Sequence, residues 1–141
     1  MHFYFLLTRP LTVGVRAILL NRETIKIYLV RHTYTGGWYV PGGGIEVGES
    51  AEQALNRECS EETGFRPKTF TMLSLEHNIK ASSRDHVVYF LIDDWDLVEE
   101  FKTNSREILE GKWFEIKNLP DDLAPETIRS LELISDSIPI D

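Results

Sequence analysis

Between Leu11 and Leu20 the apolar side chains alternate, with Val13, Val15, Ala17 and Leu19 on one side. That period of two predicts a half-buried strand. Asn21-Arg22-Glu23-Thr24 is a turn sequence, and Ile25 to Arg31 reads as the hairpin partner. His32 to Gly37 is a loop with a Gly-Gly break, and Trp38 to Val40 leads into Pro41-Gly42-Gly43-Gly44. Thr69 to Glu76 and His86 to Ile92 read as two further strands around a polar loop from Asn78 to Asp85. The stretch from Asp93 to Asn104 is acidic and reads as irregular, and Lys112 to Ile116 as a short strand. A second helix is predicted from Ala124 to Ile134, with Ile128, Leu131 and Ile134 facing in. The pattern is α+β, a mixed sheet with a helix on each side.

The first helix follows the glycines. Three glycines in a row permit positive φ and close backbone approach, so this stretch is neither helix nor regular strand interior. Ser50 with Gln53 three residues on is a capping box, and Gly64 is a stop, which together predict a helix from Ala51 to Thr63. At 100° per residue Ala51, Ala54 and Leu55 form an inward stripe with Cys59 at its edge, while Gln53, Asn56 and Ser60 point away. Glu58 and Glu62 share the azimuth of Ala51 and Leu55, and Glu61 lies beside them. Solvated acids belong on the outer face. Three carboxylates this close repel one another, and the C-terminal end of a helix disfavours negative charge. A bound cation reverses both costs. Oxygen donors without a neighbouring histidine favour Mg²⁺ or Mn²⁺ over Zn²⁺. Arg57 reads either as a surface partner of Glu61 or as an internal counter-charge that orients Glu49 or a catalytic Glu.

Residues 43 to 65, GGIEVGESAEQALNRECSEETGF, resemble the box of the Nudix (MutT-like) hydrolase family. Gly43, Glu49, Arg57, Glu58, Glu61, Glu62, Gly64 and Phe65 stand at its characteristic positions, and Cys59 takes a place usually held by Leu, Ile or Val. Chance agreement of the fixed residues is on the order of one in a million from average residue usage, which sets this motif apart from a short glycine pattern. Trp38 to Gly43 resembles the usual lead-in, and Lys112 to Ile116 with Leu119-Pro120 the usual closing strand and helix start.

The resemblance implies an α/β/α sandwich over residues 1–141 as a single domain. It implies a pyrophosphohydrolase that cleaves a nucleoside diphosphate linked to a group X, giving a nucleotide and phosphoryl-X. Metals neutralise the diphosphate and lower the pKa of a water, and a Glu takes its proton. Carried over by position, Glu58, Glu61 and Glu62 hold metal, with the carbonyl of Gly42. Glu107, ahead of Trp113, is a further ligand or base, with Glu110 as its competitor. The base is expected to be Glu61, then Glu107, then Glu58, with Arg57 in the catalytic group.

Charge and composition narrow the partners. The formal net charge is −8, which disfavours non-specific binding to nucleic acid or anionic membranes. The lone cysteine, Cys59, excludes an internal disulfide, reads as a small buried residue, and fits a cytoplasmic location. The apolar run from Phe3 to Leu7 is too short to span a membrane and lacks the marks of a signal peptide, so it reads as a packing segment or a homodimer contact. Tyr34, Trp38, Tyr39 and Trp95 are candidate stacking partners for a base, with core packing as the alternative for each. Arg16, Arg31, Lys80, Arg84 and Arg106 are candidate phosphate contacts, and His86 is expected to pack on its strand. Family subgroup marks downstream of the box are absent: Ala81 and Ser82 stand where an ADP-ribose type carries proline and a dinucleoside polyphosphate type carries tyrosine, and the NADH-type signature is missing. A non-catalytic nucleotide-binding or regulatory domain is the alternative function, and the intact box weighs against it. RNA 5′-end hydrolysis would want a basic groove, and prenyl diphosphate isomerisation a cysteine outside the box.

Overall fold

A computed structural model describes residues 11–33, 35–79, 85–98 and 108–138. Six strands form one sheet: β1 (Thr12–Asn21), β2 (Lys26–His32), β3 (Gly42–Gly44), β4 (Phe65–His77), β5 (Asp85–Leu97) and β6 (Ile108–Glu115). The order across it is β4-β5-β1-β2-β6, with β3 beside β1. The two helices are α1 (Ala51–Thr63) and α2 (Pro125–Ile134). Strands β1 and β5 run parallel and the other pairings are antiparallel, so the sheet is mixed as expected.

Alternation along the central strands separates two cores. Val15, Ala17, Leu19, Tyr28, Val30, Val88, Phe90 and Ile92 pack with Ala54, Leu55 and Cys59 of α1. Ile18, Leu20, Ile27, Leu29, Val87, Tyr89 and Leu91 pack on the other face with Ile134 of α2. The sheet is thus the middle layer of an α/β/α sandwich. Strand β1 is therefore buried on both faces rather than on one, as parallel pairing under two helices requires.

Several boundaries differ from the sequence expectation for physical reasons. The acidic stretch after Ile92 continues β5 to Leu97, because its acids face bases on β4: Arg66 lies 3.4 Å from Asp96 and Lys68 lies 3.7 Å from Asp94. Strand β4 correspondingly begins at Phe65, with register irregularities that absorb Pro67. Strand β6 begins at Ile108, and its pairing with β2 sets Glu110 opposite Arg31. Cys59 sits within the buried stripe of α1, not at its edge, and burial pushes its thiol up to about 12. Helix α2 buries Thr127, Ser130 and Ile134, which leaves Ile128 49% exposed. The expected Phe3–Leu7 contact lies outside the described residues, and among those no helix is long and apolar enough to cross a membrane.

Two local features place the functional region. Strands β1 and β2 pair only at Leu20↔Ile27 and Asn21↔Lys26, then diverge, and β3 pairs β1 in the opening. The segment entering β3 is clamped on three sides. Tyr39 exchanges backbone hydrogen bonds with Val30 at 2.8 and 2.9 Å, and Ala17 N–H donates to the Pro41 carbonyl at 2.7 Å. The fully buried Thr127 hydroxyl donates to the Trp38 carbonyl at 2.8 Å and accepts from Val40 N–H at 3.2 Å.

Thr127→Val keeps the shape and removes both of those bonds. It is expected to cost about 1–3 kcal/mol, the penalty for stranding buried backbone groups, measured by denaturant unfolding. Thr127→Ser, which keeps the hydroxyl, is expected to lose less. Equal stability of Thr127→Val and wild type would remove this clamp from the account.

Candidate active site

Helix α1 is set locally at both ends. Ser50 Oγ accepts from Gln53 N–H at 3.1 Å while Gln53 Oε1 accepts from Ser50 N–H at 2.8 Å. Gly64 closes the helix in the left-handed region at φ 80°. This register turns Glu62 into the fold, where it is only 4% exposed, and brings its Oε1 to 3.0 Å from Gly42 N–H. Glu58, one turn earlier, lies against Gly43. A Cβ on Gly43 would come within 2.5 Å of the Glu58 carboxylate, and one on Gly42 within 2.1 Å of the Val15 carbonyl oxygen. The glycines therefore supply the space in which strand and carboxylates approach each other.

Arg57 ties this region together. Its Nε and Nη2 donate to the two oxygens of Glu49 at 2.8 and 2.9 Å, a bidentate pair. Its Nη1 donates to Glu58 Oε1 at 2.6 Å, and Nη2 also reaches the Gly44 carbonyl at 3.0 Å. Glu61 Oε2 is more distant, at 3.8 Å. The internal reading of Arg57 therefore describes the contacts better than a surface pair with Glu61. These bonds raise the Arg57 pKa and keep it charged, Glu49 contributing most. In turn Arg57, helped by the Glu46 amide, holds the Glu49 carboxyl down at about 2.

A cavity of about 660 Å³ opens over these groups, lined by Gly42, Gly43, Gly44, Glu58, Glu62, Arg16, His32, Thr35, Tyr39, Val40 and Glu126. Arg16 crosses its wall and donates from Nε to Glu126 Oε2 at 2.7 Å. Of the residues singled out in the sequence, Glu58, Glu62, Gly42, Arg16 and Tyr39 thus come together. The Glu61 side chain is 63% exposed and stands outside the lining, so the inward half of α1 carries two carboxylates rather than three. Arg31 is held by Glu110 at 2.7 Å and sits over the Trp38 ring. Trp38 is 8% exposed, packed edge-on against Phe114 in the core. Trp95 belongs to an aromatic pile with Phe65 and Trp113. His86 stacks on its cross-strand partner His77. Tyr34, Lys80, Arg84, Arg106 and Glu107 lie outside the described residues. Sequence reasoning missed His32, Thr35 and Glu126. Only the clustering of His32 and Thr35 in the loop beside Tyr34 could have pointed to the first two.

Among the described residues no three acidic, imidazole or thiol groups already converge as a metal shell. Glu58 is drawn to Arg57, and Glu62 to the Gly42 amide. The donor chemistry nonetheless suits a hard cation, since two carboxylates from one helix flank a glycine strand that leaves room beside them.

The Glu49–Arg57 pair has a defined acid signature. A carboxyl lowered from near 4.5 to about 2 on folding stabilises the fold fully above pH 4.5, and the gain is lost as pH falls through 2. Glu49→Gln is expected to melt below wild type at neutral pH, with the gap narrowing as pH falls from 4.5 toward 2. A gap that stays constant across that window would deny the pair a role in stability.

The model of the NUDIX domain matches residues 10–134. The chain is 34% identical over 111 residues to "Putative nudix hydrolase 1" of Caenorhabditis elegans, covering 76% of this chain and 29% of that protein. It is 33% identical over 100 residues to the "ADP-ribose pyrophosphatase" of Methanocaldococcus jannaschii, covering 67% of this chain and 57% of that protein. It therefore spans less than two thirds of either relative. Among solved structures it is similar to a MutT NUDIX hydrolase from Burkholderia pseudomallei, with TM-score 0.74 and 26% identity, covering 87% of this chain and 97% of that one. With the family's domain model matched over most of its length, the chain belongs to the Nudix family.

Proposed function

We propose that this protein hydrolyses a nucleoside diphosphate linked to a further group X, with help from a divalent cation. The observation that carries the reading is the meeting of Glu58 and Glu62 with the Gly42–Gly44 strand on the wall of one 660 Å³ cavity. Nudix hydrolases generally use divalent metal ions. Glu58 and Glu62, with the exposed Glu61 of the same helix and the Gly42 carbonyl, are the groups that would hold Mg²⁺ or Mn²⁺ here. Such a cation, when bound, supplies positive charge to the diphosphate and acidifies water.

The reaction adds water to one phosphorus and breaks the bond from that phosphorus to the bridging oxygen, giving a nucleotide and phosphoryl-X. A proton leaves the attacking water for a carboxylate. Glu61 suits this role better than Glu58 because it is exposed and only loosely tied to Arg57, whereas Glu58 is fixed by a 2.6 Å charge-assisted bond. Glu107 remains the second candidate from the resemblance. Arg57 orients Glu58 and fixes the loop through Glu49. Arg16, whose strand pairs with Gly42, lines the same cavity and is the candidate contact for a phosphoryl oxygen among the described residues. The formal charge of −8 supports a small-molecule substrate over an RNA backbone, and the buried lone thiol suits a cytoplasmic enzyme.

Release of phosphate and nucleotide is to be followed with Mg²⁺ and with EDTA, across nucleoside triphosphates, ADP-ribose, nucleotide sugars, dinucleoside polyphosphates and 5′-triphosphate RNA. Metal-dependent turnover of a diphosphate-X compound is expected. No turnover with any of them, alongside metal binding, would favour a non-catalytic nucleotide-binding role. Glu61→Gln is expected to lower kcat by roughly 10²–10⁴-fold with unchanged melting temperature. Retention of the wild-type rate would shift the base to Glu107 or Glu58.

A further inference from the structure

A second cavity, of about 210 Å³, adjoins the first, and Glu126 lines both. It lies where β4 and β5 meet the start of α2. Its volume is below the range of about 300–1,000 Å³ usual for a whole ligand, so it suits one ring rather than a nucleoside. Its polar groups are paired in a way that limits what that ring can carry.

Arg129 in its wall is closed on Glu76, with Nε at 2.9 Å and Nη2 at 2.7 Å, and on Glu132 at 3.2 Å. Arg16, behind Glu126, is closed on that carboxylate. The arginine and carboxylates of the lining are therefore tied into guanidinium–carboxylate pairs, beside His77, which stacks on His86. A terminal phosphate would meet Glu76 and Glu126 with both nearby arginines already engaged, and like charge at short range repels it. A neutral, hydroxyl-rich ring meets hydrogen-bond acceptors on Glu76 and Glu126 and a hydroxyl on Tyr89. Burial, and then the Glu126 charge, push the Tyr89 phenol up to about 12, so it keeps its proton and can donate. Val87 offers an apolar surface to the C–H face of such a ring, and the exposed Ile79 stands at its edge.

We propose that this second cavity seats the group X, and that X is a single sugar ring, so the enzyme favours nucleoside diphosphate sugars over nucleoside triphosphates. This rests on the hydrolase reading above. In it Glu126 is a specificity-determining residue shared by two subsites. One oxygen holds Arg16 at the wall of the larger cavity, and the other side of the carboxylate faces the sugar hydroxyls.

The test compares compounds matched in base: ADP-ribose with ATP, and UDP-glucose with UTP. Steady-state kinetics are measured for wild type, Tyr89→Phe and Ile79→Trp. Wild type is expected to show a kcat/KM at least tenfold higher for a diphosphate sugar than for the triphosphate of the same base. Each variant is expected to reduce that ratio severalfold, through KM for the sugar compound. A triphosphate preference in wild type, or a ratio unmoved in both variants, overturns the proposal. If wild type turns over none of the four compounds with Mg²⁺, the hydrolase reading is judged on the wider panel above, and calorimetric titration with the same four decides the subsite independently of turnover. Tighter binding of a diphosphate sugar than of its triphosphate, weakened by Ile79→Trp, supports the subsite, and equal binding ends it.

Discussion

One guanidinium holds the functional half of this molecule in register. Arg57 sits mid-helix on α1 and reaches two points outside the helix, the Glu49 carboxylate and the Gly44 carbonyl, as well as its own neighbour Glu58. Ordinary surface ion pairs contribute little, but this one is bidentate and partly shielded. Lysine would not replace it, because a point charge cannot satisfy both oxygens of Glu49 and also reach Glu58 and a carbonyl. The arrangement also answers the electrostatic problem posed by α1. Glu58 and Glu62 repel one another, and Arg57 on one side with the Gly42 N–H on the other draws them apart toward separate donors.

The space these carboxylates occupy is set by missing side chains. Gly42 lies so close to the Val15 carbonyl that any Cβ would collide with backbone, and Gly43 faces the Glu58 carboxylate at a comparable distance. Gly14, across the pair from Gly44, leaves room for the Arg16 guanidinium, 3.0 Å from where its Cβ would stand. The side chain of Arg16 therefore runs between two glycines before meeting Glu126. The splaying of β1 from β2 and the insertion of β3 are the same constraint on a larger scale. A strand with no side chains fills the fork, and the cavity forms above it.

How much of this was legible in the chain depended on how local each cause was. Helix α1 was readable end to end because Ser50, Gln53 and Gly64 are all within it or beside it. The alternation in β1 revealed only one of its two buried faces, since Ile18 and Leu20 broke no rule of a half-exposed strand. The acids after Ile92 looked like solvated loop because Arg66 and Lys68, their cross-strand partners, become visible only with the register of β4 on β5. Ile128 was assigned inward because apolarity was followed, whereas Thr127 is the buried residue, its hydroxyl matched by Trp38 and Val40. Arg31 and Trp38 looked like substrate contacts and are engaged with Glu110 and the core. Glu126 carried no local signal, because it acquires meaning only from Arg16, far away in the sequence.

The distribution of charge bears on how an acidic chain could hold an anionic substrate. Three of the basic groups around the two cavities, Arg57, Arg16 and Arg129, are each bonded to carboxylates. These pairs build walls and add little net attraction for phosphate. A diphosphate entering the larger cavity faces Glu58, Glu62 and Glu126 at once. Desolvating it there would be costly with those charges uncompensated. Among the described residues the cavity lining offers one guanidinium, Arg16, already tied to Glu126, so under the proposed hydrolysis a divalent cation held by the carboxylates at the glycine strand would supply positive charge. On this view the arginines shape the site and the acids equip it, and the excess of acid in the composition is partly a record of that division.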